Sequence, residues 1–282
     1  GTLGSDERLI VTGTAPTVNK GMVSPWMISA TDVQFLTYNN DTGFLIAGFD
    51  VVHGGGTSAG TLNFTDNRAI FSTAATVIGN GFDINAYALR LDQNVTLQTA
   101  SNNTASANRI ILAGGGLTPT GTLWVTAGIW AGTGGTNELV LFNNGTTSIG
   151  EVANYATSGQ IRAGSITKFG AGNLQKLSNN PGFLGDIRIQ QGTLEFNYQQ
   201  TSAANPTLTN MGGAGGNIIF EGAGTVLNIR GGVDTFTGDA LTFDNNLVLG
   251  DYVPTVTVSI DRAGGSIANK LLTFKNLTFG AS

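Results

Sequence analysis

The chain is built on pairs of apolar residues two positions apart, set between turns. Ile187/Ile189, Leu194/Phe196, Ile218/Phe220, Leu241/Phe243 and Leu247/Leu249 are examples, with Gly182, Gly185 and Gly192 marking the turns around the first two. Residues two apart on a strand point to the same face, so each pair reads as a short strand with a two-residue apolar stripe. A strand that buries only two side chains needs copies of itself stacked alongside. The spacing therefore predicts an all-β chain wound as a parallel β-helix, a β-solenoid, with coils of roughly 20 to 25 residues that hold two or three strands each.

Composition supports this reading. The 42 glycines in 282 residues are about twice the usual share of roughly 7%, and charged residues, at 11%, are less than half of the usual roughly 25%. Hydrophobic residues make up 40%, which excludes a disordered chain. No stretch of a dozen residues carries an apolar i, i+3, i+4, i+7 stripe free of Gly or β-branched runs, so helices are not expected. The segment Thr255 to Ile260 alternates polar and branched apolar residues, as a strand with one buried face requires. Gly114-Gly115-Gly116, Gly132-Thr133-Gly134-Gly135 and Asn143-Asn144-Gly145 are turn signals. With about 220 residues in such coils and about 4.8 Å between strands, roughly nine to eleven coils would form a rod on the order of 45 to 50 Å long.

The first 60 residues differ. They hold a terminal strand at Leu9 to Val11 and an aromatic-rich stretch with Trp26, Phe35, Tyr38, Phe44 and Phe49. Val33 to Tyr38 and Phe44 to Phe49 read as two strands joined by the hairpin turn Asn39-Asn40-Asp41-Thr42-Gly43. The expected organisation is an N-terminal aromatic hairpin or cap over 1–60 and β-helix coils over 61–282. The aromatics are expected to pack over the first coil, since they bury large areas.

One stretch carries a family resemblance. Thr167-Lys168-Phe169-Gly170-Ala171-Gly172-Asn173-Leu174, an Asn-rich turn, Gly185 and Ile189-Gln190-Gln191-Gly192-Thr193-Leu194-Glu195-Phe196 follow in order. They resemble the autotransporter-associated β-strand repeat, whose pattern runs K-x-G-x-G-x-L-x-L-x-G-x-N-x-[YF]-x-G-x-[TI]-x-[VI]-x-x-G-x-L-x-[LF]. The match spans 166–196 and departs from the pattern at Lys176, which holds the second Leu position with Leu177 one place late. Trp26 with Thr31-Asp32 and Thr37-Tyr38-Asn39 is similar to the segment that opens long repeat units in such proteins. The resemblance implies a parallel β-helix on an exported bacterial protein, extracellular or on the outer cell surface, and implies no chemistry.

Several function classes are disfavoured by the residues alone. Lys and Arg number 13 against 18 Asp and Glu, net −5, and the basic residues are scattered, which argues against nucleic acid. There is no run of eighteen apolar residues, so this segment is not expected to span a membrane as a helix. Cysteine is absent and His53 is the only histidine, so disulfides and a zinc site of the usual kind are not available. There is no G-x-S-x-G, and the run Gly212-Gly213-Ala214-Gly215-Gly216 lacks the Lys-Ser/Thr of a phosphate loop. No catalytic, cofactor-binding or metal-binding residue is expected. Polysaccharide cleavage would need paired carboxylates. Glu195 with Glu221 and Asp239 with Asp261 lie about one coil apart, and are expected to be solvated outer-face or turn residues.

The sequence is best read as a non-enzymatic structural protein: a β-helical stalk, adhesin or fibre segment that associates with itself or with flanking repeats of a longer chain. Candidate assembly contacts are Trp26, Phe35, Tyr38, Phe44, Leu277 and Phe279, with the aromatic segment of one copy covering the last coil of the next. The alternative is a β-helix that binds or cleaves polysaccharide of a cell surface or matrix, with Trp124 and Trp130 stacking against sugars.

Overall fold

A computed structural model describes the chain outside residues 1–2, 5, 30, 49–50, 54–55, 59, 72–75, 79–81, 92–95, 100–108, 120–122, 126–127, 150–159, 177–182, 184, 199–215, 232–239, 252, 263–270 and 281–282. All longer elements among the described residues are strands, and no helix occurs there. A small antiparallel sheet, Ile28–Ser29, Gln34–Asn39 and Gly43–Ile46, precedes two large sheets of twelve and nine strands. Every strand pair within the two large sheets is parallel. The chain is a β-solenoid.

The twelve-stranded sheet is bent, and its bend makes two walls out of one sheet. Arg109–Pro119 shows how: residues 109–112 pair with Gly128–Ala131, whereas 116–117 pair with 140–141 of the next strand, Glu138–Phe142. The same shift recurs between Phe64 and Arg68 and between Phe243 and Asn246. Residues 62–64, 84–86, 109–112, 128–131, 161–162, 240–243 and 271–274 form the first wall. Residues 51–53, 68–71, 88–91, 116–119, 138–142, 165–169, 187–189, 217–220, 246–249 and 276–279 form the second. The nine-stranded sheet, from Gly56–Ser58 to Val256–Arg262, is the third wall.

Alternation decides what fills the interior. Inward positions line up from coil to coil: Leu141, Lys168 and Ile189 on the second wall, and Leu174, Leu194 and Leu227 on the third. One continuous core runs from Ile84 to Leu247 and draws on all three walls, with Ile129 and Ile161 from the first. Phe243 and Phe274 stack one coil apart at 5.2 Å. Coil length is less uniform than the expected 20 to 25 residues. Leu174 faces Leu194 twenty residues on, and Leu194 faces Leu227 thirty-three residues on, with 199–215 between them.

Polar groups enter the interior where backbone carbonyls can meet them. The fully buried Lys168 ammonium donates to the carbonyls of Gly170 at 2.7 Å and Gln191 at 2.8 Å. Asn143, also fully buried, donates to the carbonyls of Gly145 and Asn173, both at 3.0 Å. Asparagines on successive rungs form a ladder: Asn276 donates to Asn246 at 2.7 Å and Asn246 to Asn217 at 2.9 Å. Such ladders satisfy side-chain amides with copies of themselves, as stacked identical positions allow.

The N-terminal hairpin forms as its turn signal suggests, with Asn39 opposite Gly43. Its location corrects the expectation of packing over the first coil. Phe35, Met22 and Ala47 bury against Ala88 on the outer face of the second wall. Pro25 lies so close to Gly116 that a Cβ there would come within 2.6 Å of it. Ala88 and Gly116 face each other on adjacent rungs, and their small size makes a flat seat for the hairpin. The hairpin therefore lies on the flank of the rod.

A candidate binding groove on the second wall

On the outer face of the second wall, the column that continues from Ala88 and Gly116 is Val140, Thr167, Arg188 and Ile219, one residue per rung. The hairpin covers the first two positions. Where it stops, Trp26 stands at its rim, 57% exposed, and a cavity of about 350 Å³ opens beside it. Val140 and Thr167 form the floor, with Phe169, Gln190, Arg188, Glu138 and Glu221 around them.

The polar groups of this groove are paired to one another. Arg188 makes a 2.5 Å ion pair with Glu221, whose second oxygen accepts from the Gln190 amide at 3.1 Å. The Thr167 hydroxyl donates to Glu138. Each carboxylate keeps lone pairs open to a ligand, and Arg188 keeps unused N–H groups. Phe142 and Phe169 meet edge to face at 4.9 Å and stiffen the adjacent column. Two carboxylates against one guanidinium leave the groove with one net negative charge.

The expected site residues are dispersed. Trp26 lines the groove, but Phe35 is fully buried against the wall and Phe44 is buried with an edge contact to Tyr38 at 5.0 Å. The Tyr38 hydroxyl accepts from the Val11 amide at 2.9 Å. Phe35 and Phe44 are thus used within the chain, which leaves Trp26, Leu277 and Phe279 as the exposed members of the expected assembly set. Trp124 and Trp130 do not share a face: one lies in the third wall, the other in the first, because the coil turns a corner between them. The guanidinium of Arg162 covers one face of Trp130 at 4.7 Å, and the Trp124 side chain lies outside the described residues.

Glu195 and Glu221 do not meet either, since Glu195 sits on the third wall. There it is almost fully buried and accepts from Asn173, Gln175 and Asn228 at 3.1 to 3.2 Å, with Arg230 at 3.7 Å. This carboxylate is internally satisfied and ties three rungs together. Asp239 and the side chains of Asp261 and His53 lie outside the described residues. Among the described residues no group of three His, Cys, Asp or Glu could hold a metal, and no helix is long and apolar enough to cross a membrane.

No family model, curated protein or solved structure matches this chain.

Proposed function

We propose that this chain is a non-enzymatic segment of an exported bacterial surface protein, a β-helical stalk or adhesin extended by stacking coil on coil. The observation that carries this reading is the last described coil. Val258 and Ile260 continue the core columns of Leu227 and Ile229, and Leu277 and Phe279 continue those of Leu247 and Leu249. Yet Ile260 is 62% exposed and Phe279 71%, because no described strand stacks on them. An apolar cross-section with unpaired strand edges is a surface for another coil, from flanking repeats or from a second copy. The repeat-like segment at 166–196 supports the exported setting.

Electron microscopy and light scattering of the purified chain over a concentration series test this. Rods that lengthen in multiples of one unit as concentration rises are the expected result. Strictly monomeric rods at the highest soluble concentration would overturn self-stacking.

The groove beside Trp26 favours a second reading, a polysaccharide-binding β-helix. An exposed indole next to paired carboxylates and a guanidinium is the chemistry of a surface that meets sugars.

A further inference from the structure

We propose that the groove between Trp26 and the second wall binds a neutral glycan chain lying along the rod. The proposal deepens the polysaccharide-binding reading and is independent of end-to-end stacking. A sugar ring has an apolar C–H face and a rim of hydroxyls. Trp26 offers a large flat apolar surface to the first. Glu138 and Glu221 offer acceptors to the second, and Arg188 and Gln190 add donors.

Three features narrow the ligand. The cavity, about 350 Å³, is in the range of clefts that hold small organic ligands, about 300 to 1,000 Å³. Its polar lining comes from four successive rungs, at Glu138, Thr167, Arg188 and Glu221. At about 4.8 Å per rung the lining extends about 14 Å along the axis, longer than one ring, so a chain fits better than a single sugar. The net negative charge repels uronates, sulfates and phosphates, which leaves neutral sugars. The polar groups are already held by one another across the strands, so little freedom is lost on binding.

The test uses the whole chain, titrated calorimetrically and by tryptophan emission with hexamers of β-linked glucose, mannose and N-acetylglucosamine, and with hexagalacturonate as the charged counterpart. Saturable binding of a neutral hexamer is expected, and Trp26→Ala should weaken it about tenfold or more. Trp26 is largely exposed, so this variant should melt like the parent. Gly116→Leu, which displaces Pro25 while keeping every lining residue, should weaken binding in the same way. The double variant Glu138→Gln/Glu221→Gln leaves Arg188 as the only charge in the lining and should gain affinity for hexagalacturonate. Tighter binding of hexagalacturonate by the parent chain would overturn the proposal. Neutral binding that Trp26→Ala leaves intact would overturn this site while the polysaccharide-binding reading stands; no binding of any hexamer would overturn both.

Discussion

The Lys168 ammonium donates to the carbonyl oxygen of Gln191, twenty-three residues further along the chain and 2.8 Å away, inside the solenoid. The contact stitches one coil to the next from within. Lys176, almost fully buried on the third wall, lies one corner further along the same coil. Burial pushes both amines down from the usual lysine value to about 7.

A pH dependence follows from that pair. In the unfolded chain these lysines stay protonated up to about pH 10.4, whereas folded they lose protons near 7. Between the two values the unfolded state binds more protons, so stability rises with pH. Each lysine contributes at most about 1.4 kcal/mol per pH unit in that window. Urea unfolding at pH 7 and pH 9.5 should show the higher midpoint at pH 9.5, and Lys176→Met should flatten the difference. An equal slope in that variant would contradict the assignment.

Gly192 and Gly224 both have positive φ, yet they should respond differently to alanine. A Cβ on Gly192 would lie 2.6 Å from the carbonyl oxygens of Gly170 and Gly172 and 2.7 Å from the Lys168 amine; on Gly224 it would meet nothing within 4 Å. Gly224→Ala should cost only the left-handed backbone term, about 1 to 2 kcal/mol. Gly192→Ala adds a backbone clash in a closed turn and should cost about 3 kcal/mol or more. Thermal melts of the two variants give the comparison directly.

Asn143 is a donor to two carbonyls in a place water does not reach. Asn143→Leu leaves the carbonyls of Gly145 and Asn173 without this donor, and should cost about 1 to 3 kcal/mol. Asn143→Asp aims lone pairs at those carbonyls. It should be worse at pH 8 than at pH 4, where a protonated carboxyl can still donate one hydrogen bond.

The open coil makes a separate prediction. Ile260→Asp and Phe279→Asp place charges on the exposed apolar cross-section, at side chains that are themselves mostly solvent-exposed. Either should reduce self-association about tenfold or more in sedimentation velocity while leaving the monomer's far-UV spectrum unchanged. Association equal to the parent's would place the contact elsewhere.

The strands and the hairpin were legible because they are local. The Asn39 to Gly43 turn and the Val256, Val258, Ile260 alternation are written in adjacent residues. Even buried Lys168 had a signal, since it stands two places after Ile166 and so shares its inward face. The groove was not legible. Glu138, Arg188 and Glu221 are separated by 50 and 33 positions, and only the coil register brings them side by side. Coil length varies from eighteen to thirty-three residues, so no fixed period reveals that register. The hairpin's seat was hidden for another reason: Ala88 and Gly116 mark it by being small, and small residues are everywhere in this chain.

Unequal coils also have a mechanical meaning. Pulled from its two ends along the axis, a stack joined rung to rung carries the load through its layers in series, and yields one layer at a time. The slack released by each event is the contour of the freed coil. The twenty residues between Leu174 and Leu194 would pay out about 70 Å, and the thirty-three between Leu194 and Leu227 about 115 Å. A force trace of this protein would show teeth of unequal spacing, a record of the coil lengths read off one molecule.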